Sequence, residues 1–373
     1  MSIHDPGIEP VLPPVPPPLP PEPPQVVRHA PEFTGKSGEF FGIWIVNILL
    51  TVLTLGIYSA WAKVRTHRYF YSNTRLAGSA FDYLASPLKI LKGRLIAYAF
   101  TITFGLSAKF EIWYLVIPLY LLMLACFPLL IFLGLRFRAR YSAWRGLPFR
   151  FDGKVGDAYL NFMLLPIASV FTLNFLSPWV HMQQQSYMIK GHRFGGKPFD
   201  FEGDVGKYYI PFFIALGLSM AMGMVFAMVM LGVMGTMFAT QGAEHVDPAA
   251  INKTLLPVMA VLYVGFFTIP IFLRARYTNL MWQNTRLAQH RFESTIRARD
   301  MIWLYFSNGL AILLTLGLAV PWAMIRMAKY RFAHFALLAS GSIDDFVADT
   351  VREQGAAGAE LAAALDMDID VSL

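Results

Sequence analysis

Charged residues are the scarcest feature of this sequence. Asp, Glu, Lys and Arg make up only 15% of its 373 residues, whereas a soluble globular domain has roughly 25%. Hydrophobic residues reach 56%, and the mean hydropathy is +0.48. This composition excludes an ordinary soluble domain and predicts a polytopic membrane protein with long apolar helices.

Cysteine and the common catalytic motifs are also scarce. The single cysteine, Cys126, lies inside an apolar run, which excludes an intramolecular disulfide and a cysteine-ligated metal site. The eight histidines lack metal-ligand spacing, and no nucleophile elbow, phosphate-binding loop or dinucleotide fingerprint occurs in a fitting context. We therefore predict no catalytic residues, no metal, no cofactor and no enzymatic activity.

The few charges are unevenly placed along the chain. A net charge of +7 could indicate nucleic-acid binding. However, the Lys and Arg residues cluster just after apolar runs, as they do in membrane proteins that follow the positive-inside rule. We predict membrane lipids as partners, no nucleic acid, and both termini on the cytoplasmic side.

Three tryptophan-centred segments repeat one pattern. Before Trp61, Trp179 and Trp322, a Thr lies seven residues back, a Leu six back and a Gly or Asn five back, and a Tyr lies eight residues on. So many matched offsets indicate internal repetition. We call each segment a Trp element; the three cover about 40–62, 158–180 and 301–323.

A larger unit contains a Trp element, a polar connection and an apolar hairpin that ends in Arg-Ala-Arg-Tyr. This four-residue stretch occurs at 138–141 and again at 274–277. We predict an all-α, polytopic membrane helical bundle with about seven apolar segments, three of which are Trp elements. The predicted divisions are a Pro-rich disordered cytosolic tail (1–32), a membrane domain (33–346) with units at 33–157, 158–300 and 301–346, and an acidic soluble tail (347–373).

Two membrane topologies fit the apolar segments. Seven plain spans would invert the second unit relative to the first, as in many transporters, but basic loops would then fall on both faces. If the Trp elements turn back within the membrane, every basic loop falls on one face. The Thr-Leu-Gly or Thr-Leu-Asn break suits such a turn, because glycine tolerates backbone conformations that other residues avoid. The sequence leaves both models open.

Polar residues recur inside the Trp elements. They could line a pore or substrate site, since polar groups in hydrocarbon usually face a protein interior or a water-filled path. We favour interhelical hydrogen bonding, because no ionisable residue lies deep in these runs. The candidate intramembrane polar residues are Asn47, Thr54, Thr172, Asn174, Asn308 and Thr315.

Basic and aromatic residues that follow the apolar runs predict a ring at one membrane interface. Arg side chains suit phosphate, so this ring could bind phospholipid headgroups or an anionic solute. The alternative, which we favour, is that these residues fix the topology and anchor the interface. The candidate headgroup- or anion-binding residues are Trp61, Arg65, Arg68, Tyr69, Arg138, Arg140, Trp179, Tyr187, Arg274, Arg276, Trp322, Arg326, Lys329 and Tyr330.

Alternating aromatic residues occur in the polar connections, close to glycine. Phe81-Asp82-Tyr83 and Phe199-Asp200-Phe201 each lie twenty residues after their Trp. This alternation is that of a short β-strand, but we favour a structural hairpin packed on the membrane face.

Three stretches carry a family resemblance. They are F-T-G-K-S-G-E-F-F (33–41), L-T-L-G-I-Y-S-A-W-A-K-V-R-x-x-R-Y (53–69) and N-T-R-L-A-G-S-A-F-D-Y (73–83). They resemble the bacterial YjgN family, also called DUF898, over about 33–346. The resemblance implies a multi-pass protein of the bacterial inner membrane. That family has no established biochemical function and no assigned catalytic residues, so none carries over.

Three functions from different classes follow from these features. We favour a transporter or channel for a small or anionic solute, because of the internal repeats and the broken apolar segments. The alternative is a lipid-interacting or envelope-organising membrane protein without transport activity, based on the one-sided ring and the Pro-rich arm. That arm could bind a protein partner. A membrane enzyme has the least support.

Overall fold

The computed structural model describes residues 26–239, 248–353 and 355. The proline-rich segment before residue 26, residues 240–247 and the acidic tail from residue 356 lie outside the described residues. The disorder of the proline-rich segment and its protein partner therefore stay predictions.

Helices make up most of the described chain, and consecutive helices pair as antiparallel hairpins. A π-helical turn at Leu160–Leu164 joins α5 to α6. The helices are α1 (Ser37–Leu53), α2 (Ser59–Ser72), α3 (Pro87–Lys109), α4 (Trp113–Arg140), α5 (Val155–Tyr159), α6 (Leu165–Phe171), α7 (Ser177–Gly191), α8 (Val205–Ala239), α9 (Pro248–Gln283), α10 (Ala298–Leu314), α11 (Val320–Ala333) and α12 (343–353).

Short strands form one antiparallel sheet between these hairpins. Its order is β1-β11-β10-β9-β8-β7-β6-β5-β4-β3-β2. The all-α prediction is therefore wrong. Most strands have five residues or fewer, too short to stand out from apolar helices, and they are stable only because each has neighbours. The strands are β1 (Val26–His29), β2 (Glu32–Phe33), β3 (Thr74–Leu76), β4 (Ser79–Tyr83), β5 (Ser142–Trp144), β6 (Leu147–Phe151), β7 (His192–Phe194), β8 (Lys197–Phe201), β9 (Thr285–Leu287), β10 (His290–Ser294) and β11 (Phe335–Ser340).

The sheet curls until its two edges meet at one extended segment. β1 pairs with β11, and β2 pairs with β3. Only Ala30 and Pro31 separate β1 from β2, so one segment bridges both edges. Pro31 lies between the two strands, where its missing N–H removes no ladder hydrogen bond. Phe33 of β2 also stacks on Phe332 of α11 at 5.7 Å. This closure covers edges that would otherwise expose unpaired backbone groups.

The two ends of the sheet are built differently. At one end, which we call the turn end, tight turns join β3 to β4, β5 to β6, β7 to β8 and β9 to β10. At the other, the helix end, a helical hairpin joins each remaining pair of neighbouring strands from β2 to β11. All the helical hairpins therefore leave the sheet from the same rim.

Side-chain alternation explains why the aromatic stretches form strands. In β4, Phe81 points into the curled sheet, whereas Asp82 is exposed on the outer face. β8 repeats this arrangement with Phe199 inside and Asp200 outside. A period of two places alternate residues on opposite faces. The stretches for which strands were the less favoured interpretation are thus the strands that build the interior.

Each Trp element is a helical hairpin that turns at the Thr-Leu-Gly or Thr-Leu-Asn break. The Leu residues at the tips have φ of 49°, 50° and 48°, and the next residues, Gly56, Asn174 and Gly317, have φ of 91°, 64° and 95°. Glycine and asparagine tolerate this left-handed region better than other residues. Leu55 is 93% exposed, as expected at a tip. The chain therefore reverses within each Trp element instead of continuing straight.

Three helices of the described chain are long and apolar enough to cross a membrane. They are Trp113–Arg140, Val205–Gly235 and Leu255–Gln283. The first helices of two Trp elements, Ser37–Leu53 and Val155–Phe171, are apolar but shorter. The prediction of about seven apolar segments is therefore wrong, because hydropathy alone does not register the reversal inside each Trp element.

The last described helix, α12, closes the turn end of the sheet. Phe346 packs against Phe194 at 6.3 Å and against His290 at 4.7 Å, measured between ring centroids. Asp344 forms an ion pair with Arg145 at the β5–β6 turn. Glu353 forms another with Lys197 at the start of β8. The described part of the acidic tail therefore packs on the sheet.

Candidate functional site

The curled sheet encloses an apolar cavity of about 500 Å³, which we call the sheet cavity. Small-molecule sites usually measure about 300–1,000 Å³. A second cavity of about 450 Å³, the side cavity, lies beside it under α2 and α4. The two share Phe81, Phe149 and Phe332, so they meet inside the same sheet.

A ladder of aromatic side chains lines the sheet cavity. Phe81 lies directly opposite Trp144, and Phe149 directly opposite Phe194. Ring centroids in these pairs are 6.1 Å and 5.1 Å apart. Cross-strand aromatic pairs stabilise a sheet. The same side chains therefore hold the sheet together and make its interior apolar.

The mouth of the sheet cavity lies at the helix end. Arg274 of α9 and Arg331 of α11 line it and are exposed. Within residues 26–239 and 248–353, neither guanidinium group has an ion-pair partner. Since α12 covers the turn end, the cavity opens towards the helical hairpins, with two free positive charges at its mouth.

The strands show which residues of the two units correspond. The two Arg-Ala-Arg-Tyr stretches do not occupy corresponding positions. The N–H of Leu84 donates to the carbonyl of Tyr141 (2.9 Å), and the N–H of Glu202 donates to the carbonyl of Asn284 (3.0 Å). These matching bonds align Tyr141 with Asn284, not with Tyr277. Arg138 lies four residues before β5, whereas Arg274 lies eleven before β9. The identical letters are thus about two helical turns apart in the fold.

A cluster of basic side chains occupies the rim of the first unit. It consists of Lys63 and His67 on α2, Arg94 on α3 and Arg138 on α4, and we call it the basic cluster. Arg94 and Arg138 are the charged neighbours of Lys63. α2 lies outside the three candidate spans, and burial followed by these two guanidinium groups lowers the pKa of Lys63. Burial and then Lys63 and Arg138 lower the pKa of His67. No carboxylate of the described chain forms an ion pair with any member.

The second unit has neutral residues at all four corresponding positions. In the alignment anchored on the strands, they are His181, Gln185, Phe212 and Met281. Burial lowers the pKa of His181, so its ring is neutral near pH 7. The hydrophobic clusters around the two rims match: Val64 corresponds to Met182, and Tyr83 to Phe201.

Two buried tyrosines seal the rim of the second unit. The Tyr208 hydroxyl donates to the side-chain oxygen of Gln185, and the Gln185 amide donates to the carbonyl of Tyr277 (3.3 Å). The rings of Tyr208 and Tyr277 stack at 5.5 Å. Ile90 and Gly134 take these two places in the first unit. A Cβ added to Gly134 would meet no described atom within 4 Å, so this rim has open space.

The candidate threonines stabilise the tips of the Trp elements. The hydroxyl of Thr54 donates to the carbonyl of Leu50 (2.7 Å) and accepts from the N–H of Tyr58 (2.9 Å). Thr172 and Thr315 make the corresponding local bonds. Asn174 supplies the left-handed residue of its turn. None of these residues lines the cavities described above.

The candidate asparagines join the two helices of a Trp element. The Asn47 amide reaches the carbonyl of Ala62 at 3.4 Å. The oxygen of Asn308 accepts from Arg326 at 2.9 Å, and Arg326 also packs over Trp322 at 5.1 Å. Both contacts are hydrogen bonds between the two helices of one Trp element.

The three repeated tyrosines fasten the base of each Trp element. The Tyr69 hydroxyl accepts from the N–H of Lys36 at 2.8 Å. Tyr187 donates to the carbonyl of Lys154 at 3.0 Å, and Tyr330 accepts from the N–H of Arg297 at 3.0 Å. Lys36, Lys154 and Arg297 each immediately precede the first helix. One hydroxyl thus ties the end of the second helix to the start of the first.

The other candidates lie around the rim of the helix end. Trp61 stacks on Tyr58 at 6.2 Å, and Arg276 packs over Phe272 at 5.7 Å. Trp179 packs against the core of the second rim. The exposed basic candidates here are Arg65, Arg68, Arg140 and Lys329.

Sequence reasoning missed Lys63, His67 and Arg94, as well as the cavity aromatics. The three residues lie on two different helices, so no local motif joins them. The available signal was the contrast between units, since Lys63 and Arg94 are charged where His181 and Phe212 are not.

Apolar helical hairpins with a basic rim define a multi-pass membrane protein. The family model described as "Bacterial protein of unknown function (DUF898)" matches residues 28–364. The chain therefore belongs to the DUF898 family, which confirms the resemblance in the sequence.

Curated relatives are inner-membrane proteins. The chain is similar to inner membrane protein YjgN of Salmonella typhimurium, with 26% identity over 350 residues that cover 81% of this chain and 86% of the relative. It is also similar to inner membrane protein YjgN of Escherichia coli O157:H7, with 23% identity over 373 residues that cover 88% and 93%. No solved structure matches. Together with the apolar helices, these relatives support an inner-membrane location.

Proposed function

We propose that this protein binds a membrane lipid and holds an apolar chain of that lipid in the sheet cavity. The observation that carries this proposal is the aromatic cavity that opens at the helix end, between the helical hairpins. An ordered water molecule would have few hydrogen-bond partners in this apolar cavity, whereas a buried water needs two to four polar partners. The lining therefore favours an apolar occupant.

Transport through the Trp elements has less support. That hypothesis needed Thr54, Thr172, Thr315, Asn47 or Asn308 to line a polar path. The three threonines instead close helix turns, and the two asparagines join neighbouring helices. These local and interhelical contacts give less support to a polar path than to a structural role.

The sheet and both tails face the cytoplasm in this proposal. The basic residues Arg68, Arg140, Lys190 and Arg331 all lie where helices return to the sheet, and the positive-inside rule places such residues on the cytoplasmic side. Single cysteines near residues 70 and 290 should both be protected from a membrane-impermeant label added outside. Labelling of either site would contradict this orientation.

Fluorescence quenching by brominated lipids tests the proposal. Trp144 is only 5% exposed and belongs to the sheet, so bromine on an acyl chain reaches it only from inside the cavity. A variant that keeps Trp144 and replaces the other tryptophans by Phe should be quenched in brominated phospholipid nanodiscs.

Matched variants control for indirect quenching. In the same background, Thr278→Phe narrows the cavity, since Thr278 lines it, and should restore fluorescence. Thr101→Phe, on an exposed position of α3, should not. Full Trp144 fluorescence in brominated lipid, in a variant whose melting temperature matches that of the parent, would contradict lipid binding in the cavity.

A further inference from the structure

We propose that the basic cluster of the first unit binds the phosphate of an anionic lipid headgroup. This inference rests on the proposed function and names its ligand class. It assigns the headgroup to Lys63, Arg94 and Arg138, of which only Arg138 was a candidate from the sequence.

The cluster brings together charges that lack a counter-ion. Lys63, Arg94 and Arg138 lie on α2, α3 and α4, which pack together around one hydrophobic cluster, and no carboxylate of the described chain pairs with them. Like charges held close together are unfavourable unless an anion joins them. Some basic residues of the sheet do have partners, as Arg193 does with Asp152 (2.7 Å) and Arg286 with Glu202 (2.7 Å). The three cations of the basic cluster have no such partner among the described residues.

The first rim also has room for a ligand. In the second unit, Tyr277 fills the space next to His181, with ring centroids 4.6 Å apart. The first unit has Gly134 in place of that tyrosine and Lys63 in place of that histidine. The space beside Gly134 is open. Charge and space therefore occur together in one unit and are both absent in the other.

The position of the cluster suits a lipid headgroup. Trp61 and Tyr58 stack near the start of α2, the helix that carries Lys63, and Trp and Tyr residues concentrate at the membrane–water interface. Arg138 also lines the side cavity, which meets the sheet cavity at Phe81, Phe149 and Phe332. One guanidinium group therefore connects the headgroup site to the apolar interior. Arg is well suited to this role, because its planar fork matches phosphate oxygens.

Native mass spectrometry of lipids retained by the full-length protein tests the inference. The protein is released from nanodiscs that contain equal amounts of zwitterionic phosphatidylcholine and anionic phosphatidylglycerol. We expect the anionic lipid to be retained about tenfold more than the zwitterionic lipid, which corresponds to about one charge-assisted hydrogen bond.

The variant Lys63→His with Arg94→Phe installs the residues of the second unit and should remove this preference. The control, Arg65→Gln with Arg68→Ser, also installs residues of the second unit and removes two positive charges from the same helix, α2. It should keep the preference. Melting temperatures check that both variants fold, and Lys63→Gln provides a milder test if the double variant does not.

A separate arm adds inorganic phosphate to the protein in a neutral detergent. Binding of phosphate to the parent but not to the double variant would support a phosphate site. Displacement of that phosphate by phosphatidylglycerol would show that the lipid headgroup binds at the same site. A parent without anionic preference and without phosphate binding would overturn the inference. So would a double variant that behaves like the parent. Quenching of Trp144 by brominated lipid in that case would still support the proposed function, so the two failures are distinguishable.

Discussion

The rims of the two repeat units have the same frame and opposite chemistry. In both, the second helix of a Trp element packs on the first helix of the following hairpin, over matching hydrophobic clusters. The second rim is filled by Tyr208 and Tyr277 and closed by hydrogen bonds through Gln185. The first has three unpaired cations and an open glycine. In the binding mode that we propose, the second unit is a packed support and the first unit binds the lipid.

Truncation of the packed rim should have the largest effect. Tyr208 is fully buried, so Tyr208→Ala should lower the free energy of unfolding by about 4 kcal/mol. Ile90→Ala, at the corresponding position of the open rim, should cost about 2 kcal/mol, because Ile90 lies beside space that already exists. Urea unfolding in mixed micelles measures both values. Equal losses would show that the two rims are equally packed.

A tyrosine placed in the open rim should make it resemble the packed rim. Gly134→Tyr should reduce retention of the anionic lipid by about tenfold, equivalent to about 1.4 kcal/mol. Unfolding stability should hold or rise, because glycine in a helix interior is unfavourable. Gly105→Tyr, at an exposed position of α3 that is also open, should leave retention unchanged. Undiminished lipid retention by Gly134→Tyr would show that the lipid does not occupy the open space beside Gly134.

Removal of the hydroxyl group from any of the three repeated tyrosines should have the same effect in each Trp element. Tyr69→Phe, Tyr187→Phe and Tyr330→Phe each remove one hydroxyl that holds the base of a Trp element. Each should cost about 1 kcal/mol of unfolding free energy without a change in lipid selectivity. Thermal melting with native mass spectrometry measures both quantities. Loss of anionic preference in Tyr69→Phe alone would mean that this hydroxyl contacts the headgroup.

The smallest expected effect is a change in how stability depends on pH, and it involves His290. The corresponding hairpin of the first unit has Leu147, whereas His290 is buried with neither ring nitrogen hydrogen-bonded in the described chain. Burial, followed by the charge of His29, lowers the pKa of His290. The unfolded state then binds more protons than the folded state below about pH 6.5, so stability falls as the pH drops from 7 to 5.5.

The variant His290→Leu should lose less stability over that range than the parent. Melting temperatures at pH 7.5, 6.5 and 5.5 provide the comparison, and they should diverge only at the lower two values. Parallel curves for parent and variant would mean that other groups produce the acid sensitivity.

Much of the fold follows from local sequence, and the rest depends on contacts between distant segments. The Thr-Leu-Gly break predicted a place where the chain can turn, since Gly56 needs a positive φ. The sheet escaped prediction, because strands such as Thr74–Leu76 have three residues and acquire their identity only from neighbours. Hydropathy also counted each Trp element as one membrane span, although the chain reverses within it.

The candidate site was only partly predictable for a similar reason. Arg138 and Arg274 were candidates because they share a motif. Only the register of α4 and α9 against the strands reveals that the two residues lie at different distances from the sheet. Lys63 and Arg94 meet through the packing of α2 on α3, which no spacing within the chain encodes. The contrast with His181 and Phe212 becomes informative only after that packing is known.

An experimental structure in phosphatidylglycerol nanodiscs tests the central claim most directly. The account predicts phosphate density among Lys63, Arg94 and Arg138 beside Gly134, with an acyl chain that continues towards Phe81 and Phe149. It predicts no such density among His181, Phe212 and Met281. Headgroup density at both rims, or at neither, would contradict the assignment of binding to one unit and support to the other.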